Sequence, residues 1–262
     1  MPTALTFDAV LRHDRRITMG ALGLAIVLAW SYVLVMPMPG NGMAGMAMME
    51  PMAMPWSWGY ALLIVAMWAL MMAAMMLPGA APTILLVATL ARRQEAQGHA
   101  PMRAGVFASG YLAVWTGFSL AAAALQWVLD QMAMLTAGMA VASAVIAGSI
   151  VAAAGVYQWT PLKRACLTHC RSPLDAITHY WRPGAFGAFS AGARHGLYCL
   201  GCCAVLMALL FAGGIMNLAW IAGITVLVLA EKIAPGGQIL SRVIGAALAV
   251  WGAITIGVAL SA

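Results

Sequence analysis

The five cysteines of the chain fall in two strings, and each string also holds a histidine. Cys199, Cys202 and Cys203 stand in RHGLYCLGCC, one turn after His195; Cys166 and Cys170 flank His169 in PLKRACLTHCRSP. At 100° per helical residue, His195, Cys199, Cys202 and Cys203 occupy an arc of about 100°, a single face of one imidazole and three thiols. These are soft or borderline metal ligands. His195 lies roughly ten residues into an apolar run, ~15 Å deep and near a bilayer midplane, with Arg194 at the same depth. Ionisable groups are costly there and mark function by default. Cysteine also serves as a small apolar packing residue, but three on one face beside a histidine and an arginine favour metal or redox chemistry. Cys166, His169 and Cys170 would also share a face if their segment is helical. Alone they supply too few ligands; the two sets together would complete a site if the connection folds back under the helix.

Methionine is the second anomaly, with 21 copies. Eight of them (Met36, Met38, Met43, Met46, Met48, Met49, Met52 and Met54) crowd a segment rich in Gly and Pro. A flexible segment has little packing use for so many thioethers, whereas a neutral soft sulfur suits Cu(I). Further along, Met67, Met71 and Met75 stack at i, i+4 and i+8, with Met72 and Met76 beside them. Gap-filling in an apolar interior is the competing explanation for these.

The elements that must position these side chains are membrane helices. Hydrophobic residues make up 64% of the 262 residues and charged residues only 8%, against about 25% charged in soluble domains. The apolar runs approach the ~20 residues that cross a ~30 Å hydrocarbon layer. Sustained period-2 alternation, the mark of a lipid-facing barrel, is absent. The expected fold is all-α, a single polytopic transmembrane bundle over 1–262 with about seven spans. They run Ile17–Met36, Trp56–Leu77, Ala104–Leu129, Met132–Val156, Ala185–Ala212, Ile215–Ile233 and Gln238–Leu260. Pro78 should end the second span, with a short helix resuming through Ala91. The first span is too long for a signal peptide and no cleavage site follows it, so it is read as retained.

With seven spans, 12 of the 13 Lys and Arg fall on one side, among them Arg12, Arg92, Lys163, Arg182, Lys232 and Arg242. The positive-inside rule then puts the N-terminus in the cytoplasm and the C-terminus outside a bacterial inner membrane. The methionine-rich segment becomes an outer loop, 37–55, and the first cysteine pair sits in a cytoplasmic loop, 157–184. A reducing compartment there disfavours a structural disulfide. Gly192 and Gly196 form a small-xxx-small step for close helix packing.

Other function classes find little support. The net charge of +6 is scattered singly or in pairs, not gathered into a phosphate-binding stripe, so nucleic acid is not an expected partner. The seven carboxylates offer no cluster for Mg²⁺ or Ca²⁺, and there is no P-loop or dinucleotide fingerprint. Glu231, beside Lys232, either forms a local ion pair or faces the cysteine region.

The strings AMMLPGAAP, GVYQWTPLKRACLTHCRSP and GARHGLYCLGCC resemble a bacterial family of predicted metal-binding integral membrane proteins, over about Met67 to Ile244. The resemblance carries the five cysteines as family positions. The family places a tryptophan after the Cys–Cys pair, where this chain has Ala204. The expected function is Cu(I) handling, by transport or delivery across the membrane, with Zn as the alternative ion. The expected ligands are His195, Cys199, Cys202, Cys203, Cys166, His169, Cys170, Met67, Met71 and Met75. Catalysis is not the leading expectation. A membrane thiol oxidoreductase, or an assembly subunit with a structural metal site, are the rivals. The bilayer is the first partner; a copper chaperone, other membrane subunits or further copies of the chain would complete the set.

Overall fold

The computed structural model describes residues 3–35, 56–96, 104–172 and 184–261. Among them the regular elements are helices, joined by turns and by one irregular stretch that holds an antiparallel bridge between Leu135 and Val141. The helices are α1 (Thr3–Val35), α2 (Trp58–Ala96), α3 (Ala104–Gln131), α4 (Ala144–Tyr157), α5 (Pro161–Arg171), α6 (Gly184–Gly213), α7 (Leu218–Ile233) and α8 (Gly237–Ser261). The methionine-rich loop at 37–55 and Arg182 lie outside the described residues.

Five helices are long and apolar enough to cross a bilayer: α1 from Thr18, α2, α3, α6 and α8. Taken as one broken span, α4 and α5, bent by 67°, make a sixth. Leu24, Leu28, Leu62, Leu63, Val250 and Ile254 point outward, while lysine, glutamate and glutamine side chains are buried inside. A polar interior under an apolar surface fits a multi-pass membrane protein.

Three expectations change. The stretch expected as the helical span Met132–Val156 is irregular up to Ser143. Ala133 and Met139 hold positive φ there, and Val141 N–H donates to the Phe211 carbonyl instead of to its own segment. α4 starts only where the Ser143 hydroxyl accepts from Ile146 N, and at 14 residues it covers ~21 Å. α7, at 16 residues, is also short.

The second correction concerns Pro78, at which α2 does not stop. Proline lacks the N–H that would reach the Ala74 carbonyl, and the Trp30 indole N–H of α1 donates to that carbonyl at 3.0 Å. The third concerns the connection after α4. Thr160 accepts from Lys163 N, Pro161 takes a first-turn position that needs no N–H, and α5 folds back onto α6.

The small-residue step on α6 behaves as expected. A Cβ on Gly192 would run into the Phe107 carbonyl, and one on Gly110 into that of Phe189. The backbones of α3 and α6 therefore touch where they cross, which brings Tyr111 against the cysteine face.

Candidate metal centre

The sulfur atom of Cys199 lies at the middle of a buried polar cluster drawn from five helices. The Tyr111 hydroxyl of α3 is 3.0 Å from Cys199 Sγ and also donates to the Met76 carbonyl of α2 at 3.1 Å. From α7, Lys232 Nζ donates to Cys199 Sγ at 3.0 Å and lies 3.8 Å from Met76 Sδ. Cys203 Sγ is likewise 3.8 Å from Met76 Sδ. Cys170, on α5, brings a further buried thiol toward Cys199 and Cys202. Four thiols, one thioether, one phenol and one ammonium thus share a space closed to solvent.

The helix backbone sets the positions of the thiols. Cys202 and Cys203 donate to the carbonyl of Cys199 at 3.1 and 2.8 Å, the back-bond of a residue one turn further along. Lys232 reaches the cluster across Gly79, where a Cβ would stand 3.0 Å from Lys232 Cδ and 3.3 Å from Nζ. Any larger residue at 79 would push the lysine aside.

Glu231 does not pair with its neighbour. Its carboxylate accepts from Lys163 Nζ at 2.7 Å and from Gln158 Nε2 at 2.8 Å, and Gln158 in turn accepts from Ser241. Both charged side chains are within 2% of full burial. Arg171 donates to the carbonyls of Glu231 and Ala234 at 2.7 Å each, tying the end of α5 to the C-terminus of α7. A cation there satisfies carbonyls that the helix leaves open. Residues 231 and 232, 100° apart on the helix, are thus divided: the carboxylate faces α5, the ammonium faces the thiols.

The expected ligands are not equally placed. Cys199, Cys202, Cys203 and Cys170 converge, so the connection does fold back on α6. Cys166 is half-buried, with its sulfur against Gly201, where a Cβ would approach to 2.6 Å. The His169 ring stacks on Tyr198 with centroids 4.6 Å apart. His195 is buried between Phe107 and Tyr111 at 6.0 and 5.7 Å, and its Nδ1 has no hydrogen-bond partner among the described residues. Arg194 points out of the bundle. Met67, Met71 and Met75 are all buried on α2, but Met76 is the methionine that meets the thiols.

Sequence reasoning missed Lys232, Tyr111 and Met76 as members of the site. Lys232 carried a usable signal, a single cation on the last turn of an apolar helix; the tyrosine carried none.

Among the described residues, no three His, Cys, Asp or Glu side chains stand in a ready-made metal arrangement. Cys202 and Cys203 turn their S–H groups to the Cys199 carbonyl. The donor set itself, thiols plus a thioether, is the kind that selects Cu(I) over harder ions. A family model described as "PpoB2: Copper chaperone" matches residues 65–255, which span α2 to most of α8 and include every member of the cluster. No curated protein and no solved structure matches the chain.

Proposed function

The chain belongs to the PpoB2 copper chaperone family, and we propose that it takes Cu(I) into the buried cluster around Cys199 and transports it or hands it on. The observation that carries this reading is Lys232 Nζ between two sulfurs, 3.0 Å from Cys199 and 3.8 Å from Met76. A monovalent cation already lies against the soft donors that would hold a monovalent soft metal.

In this reading Cys199 and Cys203 are the primary ligands, as thiolates, the form in which cysteine binds metal. Met76 completes a sulfur shell, and Lys232 offsets the negative charge of a copper held by two thiolates. Cys170 and Cys202 take the ion onward, and Cys166 with His169 serve the exit along α5. His195, with its unpartnered Nδ1, supplies a nitrogen donor one ring away from Cys199. Met67, Met71 and Met75 lead inward along α2. The family description names copper, and nothing in it supports zinc.

The topology proposed is seven crossings with the N-terminus in the cytoplasm of a bacterial inner membrane, α4 and α7 being the two short ones. Lys163 and Lys232 are buried, so they count as site residues and not as topology signals. The arginines alone keep the asymmetry. Met36 to Met54 then face outside as a capture segment, and a soluble copper carrier or a copper enzyme is the partner on one side.

Metal analysis of anaerobically purified protein tests the reading. Near-stoichiometric copper that is lost in a Cys199→Ser, Cys203→Ser variant is the expected result. The same copper content in that variant as in the wild type would remove the cluster from the site.

A thiol oxidoreductase would use the same atoms, and the contact of Cys170 with Cys199 and Cys202 favours it as the second reading. It predicts a disulfide between α5 and α6 after mild oxidation, found as a cross-linked peptide, and no dependence on copper.

A further inference from the structure

Three methionines from separate elements face one pocket elsewhere in the bundle. Met67 on α2, Met139 in the irregular segment after α3, and Met216 in the turn between α6 and α7 line one cavity of about 700 Å³. Tyr32 and Tyr60, near the ends of α1 and α2, line it as well.

Met139 is the residue that needs explaining. Its φ is +55°, a left-handed conformation that glycine or asparagine adopts far more readily than methionine. Strained positions of this kind persist where the surroundings demand them, and often serve function. The demand here is visible. Gln126 Nε2 donates to Met139 Sδ at 3.2 Å, and Trp68 Nε1 holds the other end of that amide at 2.7 Å. Gln126 is buried. A buried amide fixed by an indole therefore holds the thioether in place. Packing alone would be served as well by leucine, which has no atom for Gln126 to bond.

We propose that Met67, Met139 and Met216 form a second Cu(I) site, a thioether loading site that fills before the thiol cluster. It rests on the reading of the chain as a Cu(I) handler. Thioethers are soft but neutral, so they bind a cuprous ion more weakly than thiolates and release it readily. Met67 and Met76 are both on α2, ~13 Å apart along the axis. Met71, Met72 and Met75 lie buried between them. Met71 and Met75 continue the row of Met67 along α2, while Met76 stands half a turn round the helix, toward Cys203.

Anaerobic Cu(I) titration of the full chain in detergent, against chelators of graded strength, tests this. The wild type is expected to hold two coppers of unequal affinity. A Met67→Leu, Met139→Leu, Met216→Leu variant keeps side-chain volume and should lose only the weaker one. Cys199→Ser with Cys203→Ser should lose only the tighter. Selenomethionine-labelled protein carrying the two serines should show copper–selenium scattering at the selenium edge, absent when the three leucines are added. Because the triple variant can lose stability, Met216→Leu alone, in a half-buried turn, provides a second check and should weaken only the looser site. Retention of the weaker site by the triple variant would overturn the proposal. So would a wild type holding a single copper that the serines abolish, which leaves the thiol reading intact. Failure of the thiol reading looks different: the serine variant would keep both coppers while the leucine variant still lost one.

Discussion

Lys232 Nζ donates to Cys199 Sγ at 3.0 Å, although a carboxylate stands next to it in sequence. An ammonium inside a membrane bundle needs a partner, and Glu231 is already taken by Lys163 and Gln158. The division leaves one positive charge facing sulfur alone.

Replacing that charge should weaken copper binding without unfolding the bundle. Lys232→Leu removes the charge without adding a sulfur donor and suits the apolar passage across Gly79. Loss of a charge-assisted contact of about 1.5–3 kcal/mol corresponds to roughly tenfold to hundredfold weaker Cu(I) binding. Chelator competition measures it. Unchanged affinity would mean that the lysine merely fills space.

The Lys163–Glu231 pair should matter for stability more than for metal. Glu231→Gln strands a fully buried lysine, and breaking one side of such a pair costs about 3–5 kcal/mol. Thermal unfolding in detergent should show a clear drop in Tm. A Lys163→Met, Glu231→Gln double variant should recover a large part of it, since no unpaired charge remains.

The four converging thiols should be hard to reach from solution. Cys166 is half-buried while Cys170, Cys199, Cys202 and Cys203 are buried. Maleimide labelling of native, reduced protein should therefore modify one thiol quickly, identified by peptide mass as Cys166, and all five only after denaturation. A Cys166→Ser variant should lose the fast phase and retain copper. Rapid labelling of Cys199 would contradict the enclosed site.

Much of this architecture is readable in the amino-acid sequence, because a membrane imposes strong rules on composition. Charge scarcity gives the helical bundle, and helix periodicity places His195 and three cysteines on one face, which is the buried face of α6. The steps at Gly192 and Gly196 likewise predict a backbone contact, here with α3. What could not be read depends on partners far along the chain. Pro78 suggests a helix end unless Trp30, 44 residues away from Ala74, fills the open carbonyl. Residues 132–143 are apolar enough for a helix; hydropathy carries no information on φ, and Ala133 and Met139 both turn positive there. Lys232 and Glu231 differ by one residue and so by 100°. Only the arrival of Lys163 on α5 decides which of them faces the thiols.

X-ray absorption at the copper edge, on anaerobic Cu(I)-loaded protein, reads which atoms hold the ion. Thiols and a thioether converge at the proposed position of the ion, with the Lys232 ammonium and the Tyr111 hydroxyl beside them, so the tightest-bound copper should show a sulfur shell. That shell should be lost in Cys199→Ser and keep its sulfur character in Lys232→Leu at saturating copper. A shell of nitrogen and oxygen donors, or a sulfur shell indifferent to Cys199, would contradict the account.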